Sequence, residues 1–94
     1  MSTTMTQTLR EKTKLLNRVR RVRGLLDAIE RALNEDKDCT EVLHLIAAAR
    51  GGISGLMGEV IEDHIREHVV EPTKSSERVE GGQELIEAIQ AYLK

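Results

Sequence analysis

The chain has no phenylalanine and no tryptophan, and Tyr92 is its one aromatic residue. Modules that read single-stranded nucleic acid stack bases on aromatic platforms, so that class is excluded. The same shortage leaves aliphatic side chains alone to build a core, and a chain of 94 residues buries a modest share of its surface. Oligomerisation is therefore expected to complete the core. Cys39 is the only cysteine, so it cannot form an internal disulfide and is a free thiol, a ligand or a buried small residue. No run approaches the roughly 20 apolar residues that cross a bilayer. The opening MSTTMTQT lacks the apolar stretch of a secretory signal. A cytoplasmic protein with no membrane partner is the expectation.

Charge is plentiful and unevenly placed. Hydrophobic residues make up 39% of the chain and charged ones 32%, a balance suited to one soluble domain spanning 1–94, with residues 1–8 expected to be flexible. The net charge of −2 hides a segregation. Residues 10–23, REKTKLLNRVRRVR, hold seven basic residues against one acid, leaving seven against fifteen elsewhere. Local fields govern contact with a polyanion more than net charge does, so a DNA-binding stripe stays open.

The periodicity is helical throughout. From Thr8 to Asn34, the residues Leu15, Val19, Val22, Leu26, Ile29 and Leu33 recur at steps of four and three, one apolar helix face. The polar run 34–38 ends it. Asp38 is placed to cap a second helix, with Glu41 three residues on. That helix runs from Cys39–Thr40 to about Val70 and is closed by Pro72. Its middle carries Gly51, Gly52, Gly55 and Gly58, each costing about 1 kcal/mol in a helix interior. Such a cost points to a close contact between helices or subunits; a break at Gly51–Gly52 is the alternative. PTKSSERVEGG, residues 72–82, reads as a loop, followed by a third helix over QELIEAIQAYLK. The fold class is all-α.

Within EDHIREH, residues 62–68, His64 and His68 stand four apart and share a helix face, a spacing that holds one metal ion. Ile53, Met57, Val60 and Ile61 lead into His64 along the same side. Spacing alone leaves two readings: half of a site, or two partly solvated residues at a helix end. Cys39 lies 25 positions before His64, roughly 37 Å along a straight helix. A single helix cannot join them, but an antiparallel helix from a second subunit can, giving two identical sites per two-fold dimer. His44 lies one turn past Cys39, off this stripe, and reads as a surface or packing residue. Lys14, Arg18 and Arg21 line one side of the first helix, either as a solvated face or as phosphate contacts. No helix-turn-helix, zinc-finger, leucine-zipper or Gly-rich phosphate pattern occurs, nor a Ser-His-Asp order, so an enzyme is not expected.

LNRVRRVRG, the lone Cys39, LIAAARGGISGLMGEVIEDHIREH and the closing AYLK together resemble the small all-α bacterial repressors that sense copper, nickel and cobalt, or formaldehyde, the CsoR/RcnR/FrmR family. The likeness runs from about Leu9 to Lys94. It implies three-helix protomers paired as antiparallel dimers and assembled into disc-shaped homo-tetramers. These bind double-stranded operator DNA until an inducer occupies a site between subunits. By resemblance Cys39, His64 and His68 are the three main metal ligands, and Lys14, Arg18, Arg21 and Arg50 the DNA contacts. A histidine at His68 matches the nickel/cobalt sensors, where copper sensors generally carry cysteine and formaldehyde sensors often an acid. Imidazole ligands suit Ni(II), Co(II) and Zn(II), whereas Cu(I) prefers thiolate-rich sites. Ni(II) or Co(II) is thus the leading inducer, with Zn(II) or Cu(I) binding in vitro.

Two positions depart from the family pattern. Gln7 stands where nickel/cobalt sensors usually add a histidine, and Ser54 where many relatives carry Asn. The alternative inducer is formaldehyde, bridging Cys39 and a free amino terminus at Thr6, which translation from Met5 instead of Met1 would expose. A rival of another class is a helical assembly protein with no DNA role.

Overall fold

The computed structural model describes residues 12–92, so the expectations for residues 1–8, Thr6 and Gln7 among them, lie outside it. Three α-helices follow in order: α1 (Lys12–Asn34), α2 (Cys39–Ile65) and α3 (Ser75–Tyr92). A π-helical turn, Arg66–Val70, continues directly from α2. Strands are absent among the described residues, as the all-α expectation requires. The chain divides into two compact units, residues 12–57 and, in its described part, residues 58–92.

In the first unit α1 and the leading part of α2 lie antiparallel. Val22 meets Gly52 and Arg18 meets Gly55, so the order of contacts reverses between the helices. Leu15, Val19, Val22 and Ile29 turn away from solvent as the period predicts. Leu26 and Leu33, placed on the same face, are instead 55% and 60% exposed. Leu25, Ala28 and Ala32 take the inner positions. Two helices that cross touch along a line that moves round each of them, so a repeat averaging 3.5 residues does not follow the contact to its end.

The turn between these helices is built by local hydrogen bonds. Lys37 N–H donates to Ala32 O at 2.9 Å and Asp36 N–H to Leu33 O at 3.3 Å, a closure that puts Asp36 in the left-handed region at φ 55°. Asp38 then caps α2, its Oδ1 accepting the Glu41 N–H at 2.9 Å. From there α2 passes through all four glycines unbroken.

In the second unit, Glu71 N–H donates to Arg66 O at 2.9 Å, the five-residue step of a π turn. So α-geometry stops at Ile65, and the expected stretch to Val70 is helical but wider. The third helix begins at Ser75, so residues 75–82 are helix and not the loop their composition suggests. Close packing accounts for a glycine within this helix at Gly81. A Cβ there would overlap the carbonyl oxygen of His68 and approach its Cβ to 2.8 Å. Gly81 is thus a point of close approach between α3 and the π turn, which pack together. Arg78 Nε donates to Pro72 O at 2.5 Å and ties the start of α3 to the preceding bend.

Candidate functional site

His64 and His68 are brought together and held against α3. Their ring centroids are 4.8 Å apart with planes inclined by 44°. His64 is 21% exposed, and its Nε2–H donates to Gly81 O at 2.9 Å. A carbonyl oxygen carries no proton, so this bond assigns a hydrogen to Nε2, and Nδ1 is the ring nitrogen that takes no part in it. Glu84 Oε1 lies 3.8 Å from the same Nε2. His68 sits on the π turn, with its Nε2 buried and unbonded by any described residue. Both histidines are partly exposed at the helix end, as the reading of two partly solvated residues has it, but neither ring is simply solvated. One ring is tethered, and the other holds an orphaned nitrogen of the kind a ligand satisfies.

Two carboxylates that the sequence reading passed over flank the histidines. Asp63 and Glu67 are 6% and 4% exposed, again four residues apart. Asp63 Oδ1 accepts from Arg66 Nη1 at 3.3 Å, while Arg66 Nη2 reaches Glu62 at 2.8 Å. The signal was in EDHIREH, where an acid pair runs one step behind the histidine pair.

Cys39 is the first residue of α2 and is exposed in the single chain. Among the described residues of one chain, no three His, Cys, Asp or Glu side chains converge to hold a metal ion. Taken singly, then, the chain offers two imidazoles near one end of α2 and a thiol at the other. His44 is exposed and takes no part, as expected.

The stripe leading into His64 is longer than the sequence reading of Ile53, Met57 and Val60 made it. Along α2, Cys39, Leu43, Ile46, Arg50, Ile53, Met57, Val60 and His64 recur at alternating steps of four and three. Its five apolar members are all open to solvent: Leu43 57%, Ile46 46%, Ile53 49%, Met57 38% and Val60 37%. Steps of four and three along one face are the spacing by which helices pack against one another.

Of the basic residues expected to meet DNA, Lys14, Arg21 and Arg50 are exposed. Arg18 is half-buried, with its guanidinium lying over Gly55. No described helix is long and apolar enough to cross a membrane.

The profile of a family described as metal-sensitive transcriptional repressor matches residues 11–91. An uncharacterised protein in the bioA 5′ region of Serratia marcescens is 41% identical over 91 residues, covering 96% of this chain and all of that one. The transcriptional repressor RcnR of Salmonella paratyphi B is 37% identical over 90 residues, with 96% and 100% covered. Among solved structures, a glutamate-to-histidine variant of the formaldehyde-responsive regulator FrmR from Salmonella enterica serovar Typhimurium superposes with a TM-score of 0.77. It is 40% identical, over 86% of this chain and 92% of that one.

Proposed function

Since this chain belongs to the metal-sensitive transcriptional repressor family, we propose that it is an operator-binding repressor released by a nickel- or cobalt-class divalent ion held between subunits. The observation that carries this reading is the exposed stripe on α2. Turned about the Gly51–Gly52 midpoint, the stripe maps onto itself: Cys39 falls opposite His64 of a second copy, Leu43 opposite Val60, Ile46 opposite Met57, and Arg50 opposite Ile53. An antiparallel two-fold pairing in this register covers the open apolar residues and sets one protomer's thiol beside the other's histidine pair. Arg50 interrupts the seam with a side chain long enough to carry its charge past it.

Cys39 of one protomer with His64 and His68 of the other gives one thiolate and two imidazoles, a donor set for Ni(II), Co(II) or Zn(II) more than for Cu(I). His64 contributes Nδ1, because Nε2 is committed to Gly81 O. The buried Nε2 of His68 fits a ligand role on the same terms. Two such dimers form the homo-tetramer, which presents several copies of Lys14, Arg18, Arg21 and Arg50 to duplex DNA. Release requires the ion to favour the weak-binding conformer by about 1–3 kcal/mol or more.

Formaldehyde is the second reading, supported by the likeness to a formaldehyde-responsive regulator. There Cys39 and the amine of Thr6 are the reacting pair, and one carbon joins sulfur to nitrogen with loss of water.

The test is a fluorescence-anisotropy titration. A duplex selected by the protein from a random-sequence pool is bound, then challenged with Ni(II), Co(II), Zn(II), Cu(I) and formaldehyde in turn. Release by Ni(II) or Co(II) at the lowest concentration supports the proposal, and release by formaldehyde alone replaces it with the second reading. If no duplex can be selected, the chain is an assembly protein without a DNA role.

A further inference from the structure

Four glycines stand inside α2, and their surroundings differ. A Cβ at Gly51 or Gly58 would meet nothing within 4 Å. At Gly52 it would meet Val22 Cγ2 at 2.8 Å, an apolar contact between the helices of the hairpin. At Gly55 its three nearest neighbours would all be Arg18 atoms: Nη1 at 2.7 Å, Cζ at 3.3 Å and Nη2 at 3.7 Å. Three atoms of one planar group inside that distance mean that the guanidinium lies across the helix surface at Gly55. Among the basic residues Lys14, Arg18, Arg21 and Arg50, Arg18 alone is not fully exposed.

We propose that Gly55 is a positioning residue for operator binding: by lacking a side chain it provides the seat on α2 in which the Arg18 guanidinium lies, so that one phosphate-binding cation is held in place. The inference rests on Arg18 being a DNA contact. A lysine or arginine on a solvated helix must give up rotamer freedom when it meets a phosphate, and a seated guanidinium has given up much of it already. The seat also makes that cation sensitive to α2, because a shift of α2 against α1 moves Gly55 from under Arg18.

A methyl at residue 55 collides with the far end of a flexible side chain and with no backbone. Gly55→Ala should therefore fold, and alanine favours the helix interior. Function and stability are expected to move in opposite directions. Gly55→Ala should weaken binding to the selected duplex about tenfold and lower the salt slope by roughly one released counterion, with an unchanged or raised thermal midpoint. Gly58→Ala, with open space at its Cβ, should leave binding unaltered. Arg18→Lys keeps the charge but cannot fill the seat, and should bind nearly as weakly as Arg18→Ala. In the double variant Arg18→Ala, Gly55→Ala the second substitution should have no further effect.

Three results overturn the proposal. They are Gly55→Ala binding as tightly as the unaltered chain, Arg18→Lys doing so, and Gly55→Ala costing the same with and without Arg18, which makes the glycine a helix-packing residue. A different failure belongs to the underlying reading: if Arg18→Ala itself leaves affinity unchanged, Arg18 is no DNA contact and the seat serves no operator. Should Gly55→Ala not fold, Arg18→Lys decides alone.

Discussion

His64 and Gly81 are joined across seventeen residues by a single hydrogen bond, Nε2–H to the main-chain oxygen, at 2.9 Å. It links the end of α2 to α3 and selects the ring nitrogen that remains free. A metal ion on Nδ1 would strengthen the Nε2–H donor and so tighten this link to α3. Gly81 also lies against the main chain of His68, so one glycine on α3 touches both histidines of the candidate site.

Gly81 and Gly82 are neighbours with opposite expectations. Gly81→Ala puts a methyl into the His68 carbonyl, and the π turn must move, at a cost of about 1–3 kcal/mol. Gly82→Ala meets nothing within 4 Å and should stabilise α3 by up to ~1 kcal/mol. Urea denaturation of the two variants measures both signs.

Asp36 holds a left-handed backbone at φ 55°. Asp36→Gly should raise stability by about 0.5–1 kcal/mol, since glycine adopts that conformation without a Cβ penalty. An unchanged or lowered urea midpoint would count against the turn described.

Asp38 caps α2 through the Glu41 N–H. Asp38→Ala should cost about 1 kcal/mol, and Asp38→Asn or Asp38→Ser only a fraction of that. Thermal melts of the three variants give the comparison.

The proposed register of an α2 pair can be trapped. In a Cys39→Ser background, Ile46→Cys together with Met57→Cys should form disulfide-linked dimers on mild oxidation, because the register places each new thiol opposite the other type. If Ile46→Cys alone crosslinks as well as the pair does, the two-fold centre is not at Gly51–Gly52.

The inducer readings separate spectroscopically and by mass. A Co(II) complex with Cys39 as ligand should show an intense near-ultraviolet thiolate charge-transfer band that Cys39→Ala abolishes and His64→Ala weakens, with protons released on binding. Formaldehyde should instead add about 12 Da, one methylene bridge, to protein beginning at Thr6 and none to its Cys39→Ala form. A cobalt band that survives Cys39→Ala removes that residue from the ligand set.

What the amino-acid sequence determined by itself is what acts within one helix or across one turn. The 3.6-residue period marks α1 and α2, the polar run 34–38 separates them, and Asp38 caps the second because its carboxylate reaches an N–H three residues away. The pairing of His64 with His68 was equally legible, since four-residue spacing on a helix brings two rings together. Tertiary structure decided whatever depends on a neighbour distant in sequence. Leu26 and Leu33 lost the inner face to Ala28 and Ala32 because crossing helices, and not the period, set the line of contact. The glycines divided by surroundings: Gly55 under a guanidinium, Gly81 against a main chain, and Gly51, Gly58 and Gly82 against nothing. Residues 75–82 are helix where composition alone had suggested a loop, and Gly81 within them serves a close approach that only the packed structure reveals. A glycine in a sequence records only that a side chain is missing; which atom occupies the vacated space is settled when the helices pack.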